Sequence, residues 1–100
     1  MNKYGNKKTN GYDSKAEARR AGELKLMERA GKISDLQEQV AYEIIPKQAG
    51  ERAAHYVADF SYFDHDVLIV EDVKGVKTPA YILKRKLMLY TFGIKVRETK

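Results

Sequence analysis

The chain has 100 residues, of which 43% are hydrophobic and 33% are charged. This size and balance favour a single globular domain and exclude a wholly disordered chain. The sequence contains no cysteine, which excludes a disulfide framework, a thiolate zinc site and a cysteine nucleophile. No apolar run approaches the roughly 20 residues that span a bilayer, and the first residues do not resemble a signal peptide, so we expect a cytoplasmic protein.

The net charge of +5 is unevenly distributed along the chain. Residues 1–34 carry a net charge of +5, residues 35–72 carry −7, and residues 73–100 carry +7. Two basic segments are typical of a protein that binds a polyanion such as nucleic acid, although a basic solvent-exposed surface explains them equally well. The acidic middle segment needs a further explanation, because carboxylates repel phosphates unless they hold a cation.

The first elements are an arm and a helix. Residues 1–12 are rich in Asn, Gly and Lys and have no apolar period, so we predict a flexible basic arm. A helix is predicted over residues 15–30, which contain many good helix formers. Ser14 and Glu17 have the spacing of a capping box, with Asp13 as an alternative cap, which places the start of the helix at this point.

Three strands are predicted next, over residues 39–45, 55–63 and 67–74. The third strand starts with a continuous apolar run, which is typical of a central strand buried on both faces. His65 and Asp66 lie in the short turn between the second and third strands. These two strands are therefore expected to form a hairpin.

A second helix is predicted over residues 79–91, because Thr78 and Pro79 are typical of its N-cap and first position. Its apolar face includes one lysine and consists of Ile82, Leu83, Lys86, Leu87 and Tyr90. A short strand over residues 94–98 completes the order α-β-β-β-α-β. We therefore predict an α/β or α+β fold with a mixed sheet, formed by one domain over residues 13–100.

Three charged side chains lie on the otherwise apolar middle strands. Asp59 is within the second strand, and Asp72 and Lys74 are at the end of the third. Because side chains alternate along a strand, Asp72 and Lys74 point to one face. A hairpin centred on the predicted turn would place Asp59 opposite Asp72 on that same face. A one-residue slip would pair Asp59 with Glu71 instead, and the sequence leaves both registers open.

Two adjacent carboxylates and a lysine suggest metal-dependent phosphodiester chemistry. Carboxylates a few ångströms apart repel each other unless a divalent cation lies between them, and Mg²⁺ prefers carboxylate, water and phosphate oxygens. Such a cation polarises the phosphorus and helps to generate hydroxide, while a lysine orients the water or stabilises the developing charge. This cluster would explain an acidic centre between two basic, DNA-binding segments.

The spacing of Asp59 and Asp72-Val73-Lys74 resembles the motif of the PD-(D/E)XK nuclease superfamily, with Ala58 in place of the motif's proline. The strings YDSKAEARR, VADFSY, VEDVKG and KRKLMLY are together similar to a small phage-borne branch of this superfamily. The resemblance covers residues 4–98. It implies a restriction-endonuclease-like fold, with a mixed central sheet and flanking helices.

The resemblance also implies a role for each matching residue. Asp59 and Asp72 would bind Mg²⁺ or Mn²⁺, and the backbone carbonyl of Val73 would be a further ligand. Lys74 would position or activate the attacking water. Glu17, on the first helix, would be a metal ligand or would hold a metal-bound water.

Each of these assignments has a simpler alternative. Glu17 fits a purely capping role, and Asp59 fits a surface position on an edge strand. Asp72 and Lys74 fit a plain ion pair. Glu71 would be the metal ligand in place of Asp72 if the strand were turned the other way.

Basic residues around this cluster are expected to bind DNA. Those that follow the acidic segment have no acid between them and are Lys77, Lys84, Arg85 and Lys86. Lys86 lies on the apolar face of the second helix, so we expect it to point into the active-site cleft. The predicted arm adds Lys3, Lys7 and Lys8. Nothing among these residues resembles a base-reading pattern, so we expect recognition of the DNA backbone and shape.

These expectations combine into one hypothesis, a metal-dependent endodeoxyribonuclease. Small phage members of the superfamily act on branched or distorted DNA, so the resemblance implies a structure-specific nuclease such as a Holliday-junction resolvase, acting in phage recombination or packaging. Concerted cutting of two strands needs two active sites, so we expect a homodimer. The main alternative is a non-catalytic DNA-binding module on a degenerate nuclease fold, and a third is an RNA-binding accessory protein.

Overall fold

The computed structural model describes residues 14–100, which form two helices and four strands in the order α-β-β-β-α-β. Helix α1 spans Lys15–Arg29 and helix α2 spans Pro79–Phe92. Strands β1 to β4 span, in turn, Ser34–Ile45, Ala54–Asp64, Val67–Val73 and Arg97–Thr99. The predicted mixed fold is therefore confirmed. The predicted arm over residues 1–12 lies outside the described residues, as do Lys3, Lys7 and Lys8.

The strands of residues 14–100 form one sheet in the order β1-β2-β3-β4. Strands β1, β2 and β3 are antiparallel neighbours, whereas β4 pairs with β3 in parallel. A parallel pair requires a crossover connection, and α2 supplies it. Strand β3 lies inside the sheet as predicted, but its buried residues are residues 70–72 and its apolar start is exposed.

The two helices cover opposite faces of the sheet. Neighbouring residues of a strand point to opposite faces, and two neighbours on β3 contact different helices: Glu71 bonds Arg20 of α1, whereas Asp72 lies beside residues of α2. The core under α1 contains Ala21, Leu24, Ile33, Phe60 and Tyr62. The core under α2 contains Ile44, Tyr56, Ala58, Val70, Tyr81, Met88 and Val96.

Both helices begin at the predicted caps. The Ser14 side chain accepts a hydrogen bond from the Glu17 N–H at 3.0 Å, and the Thr78 hydroxyl accepts one from the Tyr81 N–H at 3.1 Å. Helix α2 ends at Gly93, whose φ of +70° is readily adopted only by glycine. Neither helix in this part of the chain is long and apolar enough to cross a membrane.

The face that α2 buries differs from the predicted one. Tyr81 and Met88, seven residues apart, are buried, whereas Leu83 and Tyr90 are 59% and 89% exposed. Helix α2 carries apolar residues around most of its circumference, so the sequence pattern favours a neighbouring stripe. The predicted face was therefore wrong for three of its members, Leu83, Lys86 and Tyr90, which are all exposed.

Candidate active site

The β2–β3 hairpin brings Asp59 and Asp72 together at the end of its ladder. The last paired residues are Phe60 and Glu71, in the register that the predicted turn requires. Beyond this pair, the two strands are joined by hydrogen bonds from backbone N–H groups to aspartate side chains. The Asp59 N–H donates to Asp72 Oδ1 at 3.4 Å, and the Val73 N–H donates to Asp59 Oδ2 at 2.8 Å. The register that gathers the two aspartates is confirmed, and the slipped register is wrong.

The side-chain alternation of β2 is interrupted at Asp59. Ala58 packs in the core under α2, whereas Phe60, two residues later, packs in the core under α1. Regular alternation would place both on one face. On β1, Gln39 stands opposite this point with a φ of +54°, which costs a non-glycine residue about 1–2 kcal/mol. Both strands change face here, and the Asp59 carboxylate is directed to the backbone of β3.

The position of Asp59 removes one of its alternatives. Strand β2 lies between β1 and β3, so Asp59 does not lie on an edge strand. Its side chain is only partly exposed and is held by the Val73 N–H. The carboxylate is therefore fixed beside Asp72 by the backbone of the neighbouring strand.

Asp72 is a buried carboxylate in an acidic environment. The residue is 1% exposed, and its Oδ2 accepts a short hydrogen bond from the Tyr56 hydroxyl. The pKa of Asp72 is raised to about 7, chiefly by burial of the carboxyl group and next by the adjacent Asp59 carboxylate. The Tyr56 hydroxyl and the Lys74 ammonium lower this pKa, but by less. The structure therefore holds two carboxylates at a distance where ionising both is unfavourable without a counter-charge.

The donor set of this pair fits a divalent cation. Carboxylate oxygens are the ligands that Mg²⁺ and Mn²⁺ prefer, and Asp59 and Asp72 present oxygens of the same type side by side. The Val73 carbonyl belongs to the residue between Asp72 and Lys74, so it lies on the same strand end. A cation bound to the pair would add to the single positive charge of Lys74, whose Nζ lies 3.9 Å from Asp72 Oδ2.

Lys74 lies at the mouth of the site with two contacts that fix its ammonium group. Its Nζ is 3.9 Å from Asp72 Oδ2 and 4.7 Å from the centre of the Tyr81 ring, a cation–π distance. The side chain is 31% exposed, so it is both held and accessible. The Tyr81 hydroxyl in turn donates to Glu98 of β4 at 2.7 Å. The Tyr81 ring, which contacts the Lys74 ammonium, is thereby anchored to β4 at the edge of the sheet.

The site opens into a cleft of about 300 Å³ between the sheet and the start of α2. One carboxylate and two lysines are among the residues that line the cleft. The lining residues are Tyr56, Val57, Asp72, Lys74, Thr78, Ala80, Tyr81 and Lys84. The prediction that Lys86 points into this cleft is wrong. Burying Tyr81 and Met88 turns α2 so that Lys84 lines the cleft, while Lys86 lies on the other flank of the helix.

Glu71, the alternative ligand, is fully engaged on the other face of the sheet. Its carboxylate accepts hydrogen bonds from Arg20 Nε at 2.5 Å and Arg20 Nη2 at 3.1 Å, from Tyr62 at 2.6 Å and from Thr99 at 3.2 Å. Burial acts to raise the pKa of Glu71, but the bonds from Arg20 and Tyr62 outweigh it and the pKa is lowered. These contacts favour Asp72 as the residue available to a metal.

Glu17 lies on the α1 side of the sheet. It is 6% exposed, and its Oε2 accepts a hydrogen bond from Gln39 Nε2 at 3.1 Å. Its carboxylate therefore approaches β1 at the position opposite Asp59, rather than the face that carries Asp72. Within residues 14–100, no three His, Cys, Asp or Glu side chains form a group able to hold a metal. A direct metal contact by Glu17 stays a prediction.

Glu98 organises the basic side chains that follow Lys74. Its carboxylate contacts Lys77 Nζ at 3.3 Å and Arg85 Nη1 at 2.9 Å, in addition to the Tyr81 hydroxyl. Lys77 and Arg85 are thus held near the cleft by one carboxylate. Lys84 is a predicted DNA-binding residue that lines the cleft together with Asp72.

Two residues of the site are not identified by the sequence pattern. The Tyr56 hydroxyl donates to Asp72 and the Tyr81 ring contacts the Lys74 ammonium, but the sequence pattern assigns neither tyrosine to the site. The available signal is position: Tyr81 closely follows the Thr78 cap, in the first turn of the helix after Lys74. Its direction depends on how α2 docks, which a linear pattern does not specify.

Comparison with known proteins places the chain in a family but not in a functional class. The chain belongs to the family described as "Protein of unknown function (DUF1064)", whose model matches residues 1–99. No curated protein and no solved structure matches the chain. The family match covers nearly the whole described domain, including both aspartates, Lys74 and α2.

Proposed function

We propose that the protein is a metal-dependent endodeoxyribonuclease that hydrolyses DNA phosphodiester bonds. The observation that carries this proposal is the convergence of Asp59, Asp72 and Lys74 at one strand end. Asp72 and Lys74 line a cleft that Lys84 also lines. Buried like-charged carboxylates are unfavourable in a purely structural role. They are expected where a divalent cation and a phosphate have to meet.

In this proposal Asp59 and Asp72 hold Mg²⁺ or Mn²⁺, with the Val73 carbonyl as a further ligand. When bound, the cation supplies Lewis-acid polarisation of the phosphate and a lower pKa for the attacking water. Lys74 orients the water for in-line attack and stabilises the charge that develops on the phosphate. Glu17 is proposed as a ligand or as the acceptor of a metal-bound water, as the resemblance implies; its Oε2 accepts a hydrogen bond from Gln39, which stands opposite Asp59 on β1.

The proposed substrate is branched or distorted DNA, following the resemblance to small phage nucleases such as Holliday-junction resolvases. The protein is expected to recognise the DNA backbone, because lysine and arginine side chains contact phosphates. The candidates are all on or just before α2 and are Lys77, Lys84, Arg85 and Lys86. The proposed setting is phage recombination or packaging in the cytoplasm of a bacterial host.

A homodimer is part of the same proposal, because paired cuts require two sites. The support for a dimer contact is on α2, where Leu83 and Tyr90 are seven residues apart and both mostly exposed. Residues with this spacing lie on one face of a helix, and an exposed apolar face of this kind is typical of an interaction surface.

The decisive experiment incubates the protein with a four-way junction and with linear duplex, in Mg²⁺ and in EDTA. We expect Mg²⁺-dependent cleavage of the junction, and loss of cleavage in Lys74→Ala. The matched control is Lys32→Ala, an exposed lysine before β1 whose removal should leave cleavage unchanged. Absence of metal-dependent cleavage of any DNA, together with retained DNA binding, would favour the non-catalytic module instead.

A further inference from the structure

A second basic depression lies beyond the cleft, between α2 and the sheet edge formed by β4. This edge pocket has a volume of about 260 Å³ and is lined by Arg85, Lys86, Leu89, Lys95, Val96 and Glu98. None of these residues lines the cleft. We propose that the edge pocket binds the phosphodiester backbone of the DNA strand whose scissile phosphate lies in the cleft, an inference that rests on the proposed nuclease function.

The charges of the edge pocket favour an anion. Among residues 14–100, Glu98 is the one acidic residue that lines this pocket, and its carboxylate is already bonded to Tyr81, Arg85 and Lys77. Hydrogen bonding from Tyr81 lowers the pKa of Glu98 to about 2, with further lowering by Arg85 and Lys77, so this carboxylate stays ionised and engaged.

The two lysines of the edge pocket are available for a ligand. Lys86 and Lys95 are both exposed, and no carboxylate among residues 14–100 lies within ion-pairing distance of either. Lysine side chains are among the common protein contacts to DNA phosphates. The edge pocket therefore presents two uncompensated positive charges at one place.

The floor of the edge pocket suits a sugar–phosphate backbone better than a free inorganic anion. Leu89 and Val96 form an apolar surface between the cations. Deoxyribose offers apolar carbon atoms next to each phosphate, so a backbone segment would cover this surface while its phosphates meet the lysines. A small hydrated anion would leave the apolar floor exposed to water.

Helix α2 lies between the edge pocket and the cleft. Lys84 lines the cleft and Lys86 lines the edge pocket, so one helix separates the two sites. A helix with its side chains is about 10–12 Å across, so a DNA backbone segment of a few nucleotides is long enough to contact both sites.

The test measures DNA binding by the full chain in EDTA, which prevents metal-dependent cleavage. Wild type is compared with the double variant Lys86→Gln with Lys95→Gln, here called the edge variant. The control is Lys32→Gln with Lys47→Gln, two exposed lysines that flank β1 at the opposite edge of the sheet. We expect the edge variant to bind a four-way junction about 10-fold to 100-fold more weakly. The plot of log affinity against log salt concentration should become less steep by about 1.8, because each lost phosphate contact removes about 0.9 from its slope.

Cleavage kinetics in Mg²⁺ provide the second readout. The edge variant should show a raised KM and an unchanged kcat, because the edge pocket does not touch the scissile phosphate. An unchanged affinity and salt slope, or an equal loss in the β1-edge control, would overturn the proposal. If the wild-type protein binds DNA but cuts none, the proposed nuclease function fails, while the affinity comparison still decides whether the edge pocket binds the backbone.

Discussion

Replacing Asp72 with asparagine should stabilise the metal-free protein while abolishing its proposed activity. The carboxylate is buried beside Asp59, and its pKa is raised from 3.8 to about 7. A raised folded-state pKa favours the folded protein at low pH, where Asp72 is protonated, and this advantage is lost as the pH rises through about 7. An asparagine side chain at this position would keep the shape and the acceptor for Tyr56 without the charge.

The shift sets the size of the effect. A displacement from 3.8 to about 7 corresponds to at most about 4 kcal/mol between the low-pH and high-pH limits. We expect the free energy of unfolding of Asp72→Asn, relative to wild type, to increase by at least about 1 kcal/mol between pH 4 and pH 8. Urea denaturation in EDTA across this pH range measures the difference directly.

A surface variant provides the matched control. Asp66→Asn changes an exposed carboxylate in the β2–β3 turn, where φ is +66° and asparagine is well tolerated. The difference in free energy of unfolding between this control and wild type should not increase with pH as the difference for Asp72→Asn does. Mg²⁺ should stabilise wild type and not Asp72→Asn. If Asp72→Asn is no more stable relative to wild type at pH 8 than at pH 4, then Asp72 is not the destabilised, metal-accepting carboxylate inferred from its burial beside Asp59.

Other contacts lead to three further predictions. Arg20→Met should lower the free energy of unfolding by about 3–5 kcal/mol in urea denaturation, because it leaves the buried Glu71 carboxylate without its cationic partner; adding Glu71→Gln should recover part of this loss. Tyr81→Leu should lower kcat about tenfold with little change in KM, because the Lys74 ammonium loses its ring, whereas Tyr81→Phe should retain most of kcat. Leu83→Lys with Tyr90→Lys should convert the proposed dimer to a monomer in sedimentation equilibrium, and a wild-type protein that is already monomeric would contradict the dimer.

Local signals in the sequence predict much of the fold. Ser14 and Thr78 mark the helix starts because an N-cap side chain acts within three residues of itself. The turn at His65 and Asp66 has both φ angles positive, at +50° and +66°, which fits a tight two-residue hairpin. A tight turn fixes the register, so the pairing of the aspartates follows from a local feature.

The remaining features depend on contacts between distant parts of the chain. The change of face at Asp59 requires an irregularity in β1 and β2 together, and no local pattern at Gln39 indicates its φ of +54°. The partnership of Glu71 with Arg20 joins residues 51 positions apart. The predicted use of Lys86 was wrong because the rotation of α2 is set by packing of Tyr81 and Met88 against the sheet.

The proposed function depends above all on Asp59 and Asp72 forming a metal site beside the DNA. Mn²⁺ binding, followed by electron paramagnetic resonance, tests this in a complex of junction DNA with Lys74→Ala, which should bind DNA without cutting it. We expect bound Mn²⁺ in this complex, and its loss when either Asp59→Asn or Asp72→Asn is added. Equal Mn²⁺ binding with and without the two carboxylates would contradict the proposed metal site.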